Sequence, residues 1–300
     1  MNYASREVQI KFQTPEASYA LAEVHRYKVQ DATLAVRTFG NGANTVLFIH
    51  GFPVHGYTWR KLLPKLAERF TCYVVDLPGL GDSEWTSSTD FTFTAQTRRL
   101  RLLTDQLALK QYALVAHDTG ATVARLLALA EPQRVTKLVI INTEMPGHRP
   151  PWITFYRNLA LLPGAGQAFR TLLGFDWFTR SPLGLGAFYS DSKLLNEPSY
   201  LEPYVKPLVT SSHNIEGALH FLRGIEWKVV DNLRKDHAKI KARTLLLWGE
   251  DDPTFPVTLG EQMCNEFGGT ASFVRIARAA LMPHEEQPDA LLNHLVPFLA

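Results

Sequence analysis

The 300-residue sequence lacks the marks of several protein classes. It contains two cysteines, Cys72 and Cys264, which are too few for a disulfide framework or a cysteine metal site. No apolar run approaches the roughly 18 residues of a membrane-spanning helix. The N-terminus, MNYASREVQIKF, has no apolar signal-peptide stretch. We therefore expect a soluble, cytoplasmic protein that makes no membrane contact.

The sequence also lacks an excess of either charge. Its 31 Lys and Arg residues nearly balance its 29 Asp and Glu residues, and the net charge is +2. Nucleic-acid-binding domains are usually strongly basic, so this balance argues against a nucleic-acid partner and a membrane partner. The 46% hydrophobic content is that of a globular chain. The length fits two domains, or one α/β domain with an insertion.

Short apolar segments alternate with helical patterns in two parts of the chain. After a hairpin pattern at 27–39, strands are predicted at 45–50, 72–77, 112–117, 137–142, 244–249 and 271–276. Helices are predicted at 59–70, 94–109, 121–130, 258–267 and 290–299. Apolar strands that alternate with helices are typical of an α/β fold, with a mostly parallel sheet flanked by helices.

The alternation stops between residues 145 and 237, where the sequence is rich in aromatic residues, Pro and Gly and shows no strand pattern. We predict a core domain made of residues 1–144 and 238–300, in which residues 1–26 are an N-terminal extension. Residues 145–237 are predicted to be an inserted helical cap.

The segment Ala116-His117-Asp118-Thr119-Gly120 lies between a predicted strand and a predicted helix. This is the context of the nucleophile elbow, in which small residues must stand two before and two after the nucleophile. Ala116 and Gly120 meet that demand. A carboxylate at the centre, Asp118, can attack carbon without a base and forms an ester that water must then hydrolyse. The alternative is that Asp118 only caps the following helix.

Three further motifs accompany the elbow. His50-Gly51-Phe52-Pro53 follows the strand 45–50, D-L-P-G-L-G-D-S spans residues 76–83, and W-G-E-D-D-P spans residues 248–253. Together with H-D-T-G around Asp118, they make the chain resemble the α/β-hydrolase superfamily from about residue 27 to residue 300. The combination is most similar to soluble epoxide hydrolases and haloacetate dehalogenases, with haloalkane dehalogenases a related branch.

The resemblance implies roles for individual residues. Asp118 would be the nucleophile, and the backbone amides of Phe52 and Thr119 would form an oxyanion hole. The acid that orients a catalytic histidine would be Asp252. Glu144, just after the strand 137–142, is a second candidate, because some haloalkane dehalogenases carry their acid there.

The histidine itself is missing from its usual place. The family pattern G-H-x-x-x-x-E-x-P puts the base seven residues before the proline, and counting back from Pro288 gives Leu281. The nearby histidine is His284, three residues later. Either His284 reaches the site as the base or the base is absent. Without an activated water, the ester formed on Asp118 would not be hydrolysed.

Epoxide hydrolysis is the first expectation for the activity. Thr119 stands where epoxide hydrolases and haloalkane dehalogenases commonly carry Trp and haloacetate dehalogenases carry Arg, which weakens the alternative of a haloacid or haloalkane dehalogenase. A third possibility is a non-hydrolytic or ligand-binding homologue, which Leu281 favours.

The predicted cap would supply the substrate contacts. We expect Trp152, Tyr156 and Tyr189 to bind a small apolar organic substrate, and an epoxide oxygen would need phenol donors from the cap. Tyr156, Tyr189, Tyr200 and Tyr204 are available there. No phosphate-binding glycine pattern or histidine ligand spacing is present, so no cofactor and no metal site are predicted. Both a monomer and a homodimer remain possible.

Overall fold

The computed structural model describes residues 14–300. These residues form one mixed sheet flanked by helices. The strands are β1 (Val24–Val29), β2 (Ala32–Phe39), β3 (Asn44–Ile49), β4 (Phe70–Val75), β5 (Glu84–Trp85), β6 (Tyr112–His117), β7 (Val135–Ile141), β8 (Arg243–Gly249) and β9 (Ala271–Ile276). The predicted hairpin and the six predicted strands are confirmed, with small differences at their ends.

The strand order is β1-β2-β4-β3-β6-β7-β8-β9, and β5 pairs with β2. Neighbours from β4 to β9 run parallel, whereas β2 is antiparallel to β1 and to β4. The predicted α/β fold with a mostly parallel sheet is therefore confirmed. Because the carboxyl ends of the parallel strands meet at one edge, the loops after β3, β6, β7 and β8 lie close together.

The helices cover this sheet and its carboxyl edge. They are α1 (Pro15–Leu21), α2 (Leu63–Leu66), α3 (Phe93–Gln106), α4 (Thr119–Ala130), α5 (Pro151–Leu159), α6 (Ala165–Leu173), α7 (Asp176–Thr179), α8 (Pro198–Thr210), α9 (Ser212–Arg223), α10 (Trp227–Asp236), α11 (Val257–Cys264), α12 (Pro283–Glu286) and α13 (Pro288–Leu299). No helix among residues 14–300 combines the length and the apolar character needed to cross a membrane.

One predicted helix, at 59–70, is wrong. The chain instead forms a 3₁₀ turn at Gly56–Trp59 and then the single turn α2. Pro64 explains the difference, because proline has no N–H to donate and its ring clashes with the carbonyl four residues earlier. Proline is tolerated in the first turn of a helix, and α2 accordingly begins at Leu63 with Pro64 in its first turn.

All regular elements between β7 and β8 are helical: α5 to α10 and three 3₁₀ turns. We call residues 151–239 the helical segment. At the N-terminus, α1 packs on the core, because Tyr19 is buried and Glu16 accepts a 3.1 Å hydrogen bond from Arg60 Nε. Residues 1–13 of the predicted N-terminal extension lie outside the described residues.

Candidate active site

Asp118 lies on a sharp turn between β6 and α4. Its backbone has φ 50° and ψ −131°, a combination that costs a non-glycine residue about 1–3 kcal/mol and that concentrates at functional sites. Its N–H is held by the carbonyls of Ile141 (3.1 Å) and Asn142 (2.8 Å). Thr143 Oγ1 donates to the Asp118 carbonyl at 2.8 Å. The loop after β7 thus fixes the strained turn.

Two glycines allow the loop after β3 to approach this turn. A Cβ on Gly120 would lie 2.2 Å from the His50 carbonyl oxygen, and a Cβ on Gly51 would lie 2.5 Å from Asp118 Oδ2. Both distances are far below van der Waals contact. The glycine two residues after Asp118 is therefore explained by the loop that it faces.

The Asp118 carboxylate faces the backbone amides predicted from the sequence. The Phe52 N–H donates to Asp118 Oδ2 at 2.8 Å. A backbone hydrogen bond from Thr119 also lowers the pKa of this carboxyl. Asp118 stands at the N-cap position of α4, but its side chain does not form the capping hydrogen bond that the helix-cap alternative required. The amides of Phe52 and Thr119 converge on the carboxylate, and their role as an oxyanion hole stays a prediction.

Burial dominates the electrostatics of this carboxylate. Burial raises the pKa of Asp118 well above its usual value, and the like charges of Glu144 and Asp252 raise it further. The hydrogen bonds from the Phe52 and Thr119 amides lower it, but they do not outweigh burial. A smaller fraction of Asp118 is therefore ionised at a given pH than for an exposed aspartate.

Asp252, the first candidate acid, follows β8 and is buried. Its Oδ2 accepts from Asn142 Nδ2 at 2.6 Å, and its Oδ1 accepts from the amides of Thr254 (2.7 Å) and Phe255 (3.1 Å). Burial raises its pKa to about 6. Among residues 14–300, the hydrogen-bond partners that hold the Asp252 carboxylate therefore include no histidine.

Glu144, the second candidate acid, follows β7 and is also buried. Its Oε2 accepts from Thr122 Oγ1 at 2.7 Å and lies 3.1 Å from Thr143 Oγ1. Burial raises the pKa of Glu144, although its contacts with the two threonines and the charge of Arg125 act to lower it. Its hydrogen-bond partners in the described part of the chain include no histidine either.

His284, the candidate base, is buried away from the cavity that contains Asp118. Its Nε2 lies 2.6 Å from Thr58 Oγ1, whose hydroxyl donates to Glu285 Oε1 at 2.8 Å. Nε2 therefore carries the proton and donates it to Thr58. The ring packs against Trp59 and His117, with centroids 4.7 Å and 4.6 Å away.

These surroundings disfavour His284 as a base. Burial, together with the charges of Arg60 and Lys61, lowers the pKa of His284 to about 3. A general base works best when its pKa lies near the operating pH. The expectation that His284 reaches the site is corrected by its hydrogen bond to Thr58 and by its place outside the cavity lining.

Leu281 stands at the sequence position where the family pattern puts histidine. It lines the same cavity as Asp118, and its carbonyl accepts a 2.9 Å hydrogen bond from His117 Nε2. No histidine among residues 14–300 lines this cavity. Asp118, the candidate nucleophile, therefore shares its cavity with an apolar side chain at the position predicted for the base.

The cavity has a volume of about 580 Å³ and lies between the carboxyl edge of the sheet and the helical segment. Its walls are largely apolar, with Phe52, Ile153, Phe169, Leu208, Leu219 and Leu222 among their members. Asp118 is the one charged residue in the lining formed by residues 14–300.

Two of the three predicted substrate contacts, Trp152 and Tyr156, line this cavity. The third, Tyr189, does not: it is buried and donates to Glu285 Oε2 at 3.0 Å. Tyr204 lines the cavity but donates to Glu285, and the Tyr156 hydroxyl donates to the Leu183 carbonyl. The phenols of the lining are therefore already hydrogen-bonded within the protein.

Sequence reasoning missed the residues that hold the site together. Asn142 fixes Asp252, and Thr143 fixes the backbone of Asp118. The available signal was their position directly after a parallel strand, at the edge where site residues gather. Within residues 14–300, no three His, Cys, Asp or Glu side chains are grouped to hold a metal ion.

Comparison with known proteins assigns the family. The family model of the alpha/beta hydrolase fold matches residues 44–288. An uncharacterised hydrolase of Bacillus subtilis, YugF, is 23% identical over 282 residues, which cover 93% of this chain and 99% of that protein. Epoxide hydrolase 4 of Mus musculus is 26% identical over 270 residues, 85% of this chain and 72% of that protein.

A solved structure shares the same fold. The ligand-free epoxide hydrolase CorEH superposes with a TM-score of 0.77 over 92% of this chain and 98% of its own, at 19% identity. Together with the strand order, the strained elbow and the family match, this similarity places the chain in the α/β-hydrolase superfamily of hydrolases.

Proposed function

We propose that Asp118 opens epoxides of neutral, apolar molecules by forming an ester with a substrate carbon. The observation that carries the proposal is the 2.8 Å hydrogen bond from the Phe52 amide to Asp118 Oδ2, at the wall of an apolar cavity. One carboxylate oxygen is held, which orients the other for attack. The epoxide hydrolase relative supports this choice of substrate.

In the first half-reaction, an Asp118 carboxylate oxygen bonds to a ring carbon of the epoxide. The bond between that carbon and the ring oxygen breaks, and its electron pair stays on the oxygen, which takes a proton from water. The cavity phenols, Tyr156 and Tyr204, donate to protein acceptors, so proton delivery by a phenol would require one of them to exchange its partner.

In the second half-reaction, water attacks the carbonyl carbon of the ester. The electron pair moves to the carbonyl oxygen, where the amides of Phe52 and Thr119 can stabilise it. Collapse of this intermediate breaks the ester bond: one proton of the attacking water goes to the departing alkoxide, which leaves as a hydroxyl of the diol. The other proton goes to the hydroxide left from the first half-reaction, which restores the Asp118 carboxylate. Leu281 gives no help in deprotonating the water, so we expect this step to limit turnover.

A second candidate is ligand binding without hydrolysis. Leu281 in an apolar cavity favours it, because a site of this kind binds apolar molecules whether or not the ester is resolved. The two candidates differ in whether a covalent bond to Asp118 forms.

The test is intact-protein mass spectrometry after incubation with alkyl and aryl epoxides of increasing size, with diol release measured in parallel. We expect one adduct per chain, mapping to Asp118 in peptide digests, and diol release far slower than adduct formation. The matched control is Asp118→Asn, which keeps the size and an acceptor for the Phe52 amide but should give no adduct.

Two outcomes would contradict the proposal. Binding of the epoxides without adduct or diol would favour the ligand-binding candidate. An adduct that persists in Asp118→Asn would place the nucleophile elsewhere.

A further inference from the structure

Exposed apolar side chains are concentrated in one part of the helical segment. Six of the eight large apolar residues that are exposed among residues 14–300 lie between positions 155 and 183, with exposed fractions of 48% to 67%. We call these six residues the apolar rim: Phe155, Leu161, Leu162, Phe175, Trp177 and Leu183. Concentrations of exposed apolar residues usually mark an interaction surface.

Helix α5, which carries Phe155, and helix α6, which lies between Leu162 and Phe175 in the chain, are poorly covered by the rest of the protein. Helix α5 contains Trp152, Ile153, Phe155, Tyr156 and Leu159 and yet has no fully buried residue. Helix α6 buries only Ala165 and Gly166. A surface helix normally buries its apolar face against the core, so these helices present apolar surface that the described chain leaves open.

The rim continues into the cavity of the candidate site. Leu183 is 62% exposed and also lines the cavity. Trp177 packs edge-to-face on the cavity residue Phe178, with ring centroids 5.9 Å apart. Phe155 packs in the same way on Tyr156, which also lines the cavity. An apolar molecule that rests on the rim is therefore next to the cavity.

The charge of this region selects among partners. Residues 151–183 contain Arg157, Arg170 and Arg180 against one acid, Asp176. This stretch therefore has a net charge of +2, equal to that of the whole chain, and the remaining residues balance. Aromatic and aliphatic side chains combined with arginines are typical of surfaces that bind anionic lipid.

We propose that the apolar rim docks on the surface of an anionic lipid bilayer, from which apolar substrates enter the cavity. A second copy of this chain fits less well, because a two-fold contact through the rim would bring the arginines of the two copies together. The expectation of no membrane contact came from the charge of the whole chain, which hides this local excess. Docking does not depend on Asp118, and only substrate entry rests on the proposed function.

The test is flotation of the full chain with vesicles of phosphatidylcholine, with and without phosphatidylglycerol. The wild type should float with the anionic vesicles, and less so in high salt or on phosphatidylcholine alone. The double variant Phe175→Ser, Trp177→Ser should bind anionic vesicles at least about tenfold more weakly than the wild type. The reason is that two large apolar side chains no longer enter the lipid.

Leu21→Ser is the matched control, because Leu21 is 71% exposed but lies outside the rim. It should float like the wild type. Asp118→Asn should float as well, so failure of the epoxide assay leaves this test intact. Sedimentation velocity reports self-association of each variant, and thermal unfolding checks that each one is folded.

Three results would overturn the inference. The first is a wild-type chain that stays with the unbound fraction on anionic vesicles. The second is equal flotation of the double variant. The third is a dimer that the double variant dissociates, without vesicle binding, which would make a second copy the partner of the rim.

Discussion

At position 281, a leucine shares the cavity with Asp118, and Asp252, the candidate acid, is buried at the end of β8. Asp252 remains fixed by Asn142 and two backbone amides, although it has no histidine to orient. In the proposed reaction, Leu281 therefore separates ester formation, which needs only a carboxylate, from ester hydrolysis, which needs a base.

Leu281→His should restore the missing step. The new imidazole would lie in the cavity near Asp118 and Asp252, where it can take a proton from the attacking water. Since a positioned base contributes about 10²–10⁴-fold, we expect diol release to rise by at least about tenfold even with imperfect placement. Steady-state diol formation, measured with an epoxide that forms the Asp118 adduct, checks this.

The control is Leu281→His combined with Asp252→Asn, which removes the charge that would stabilise the imidazolium. The increase in the rate of diol release should be smaller in this double variant than in Leu281→His alone. If Leu281→His leaves diol release unchanged while adduct still forms, the missing histidine is not what limits turnover.

The rate of ester formation should depend on pH through Asp118. Only the ionised carboxylate attacks, and burial raises its pKa, so the rate should rise with pH and reach half its maximum well above the usual aspartate value. Glu144→Gln removes a like charge that raises this pKa. The half-maximal pH should therefore fall in this variant, as measured by the rate of adduct formation at each pH.

Glu202→Gln is the control for this profile, since Glu202 is an exposed acid of the helical segment. It should leave the half-maximal pH where it is. An unchanged profile in Glu144→Gln would mean that Glu144 does not act on the carboxylate, and a rate independent of pH would argue against attack by Asp118.

At the scale of elements, a buried polar cluster joins the helical segment to the core. Glu285, on α12, accepts from Arg60 Nη1 at 3.0 Å and from Thr58 Oγ1 at 2.8 Å. From the helical segment, Tyr189 donates to it at 3.0 Å, and Tyr204 donates as well. The side chains of Glu285 and Arg60 are fully buried.

Glu285→Gln should destabilise the protein strongly. It leaves the Arg60 guanidinium buried without its full counter-charge, and breaking a buried ion pair in this way costs about 3–5 kcal/mol. The free energy of unfolding from chemical denaturation measures the loss, and proteolysis within the helical segment should become faster. Glu261→Gln, which breaks the exposed pair with Arg275, is the matched control and should change stability little.

This cluster also contains the contacts that could not be predicted from the sequence. The periodic apolar strands predicted the parallel sheet, because local patterns determine them, and the elbow motif located Asp118, Phe52 and Thr119 together. The orientations of His284 and Tyr189 could not be predicted in this way. Both follow from contacts with Thr58 and Glu285, which are distant from one another in the chain and meet only in the fold.

At the scale of the whole molecule, averages concealed two local properties. The near-neutral charge of the whole chain predicts no lipid contact. The stretch that carries the apolar rim, however, has a net charge of +2, and the positive and negative charges of the other residues cancel. The overall hydrophobic content likewise says nothing about a 580 Å³ cavity whose described lining contains a single charge. The apolar lining of the cavity supports the neutral, apolar substrates that we propose.

The molecule should therefore discriminate against charged substrates. A matched pair of epoxides, one with a carboxylate and the other with its methyl ester, tests this. Burying an unpaired carboxylate in this cavity is costly, and Asp118 would repel it, so we expect adduct formation at least about 100-fold slower for the acid. Raising the salt concentration should not rescue it, because desolvation rather than long-range repulsion is the main cost. Comparable rates for the two compounds would instead require a cation at the cavity wall, and no residue of the described lining supplies one.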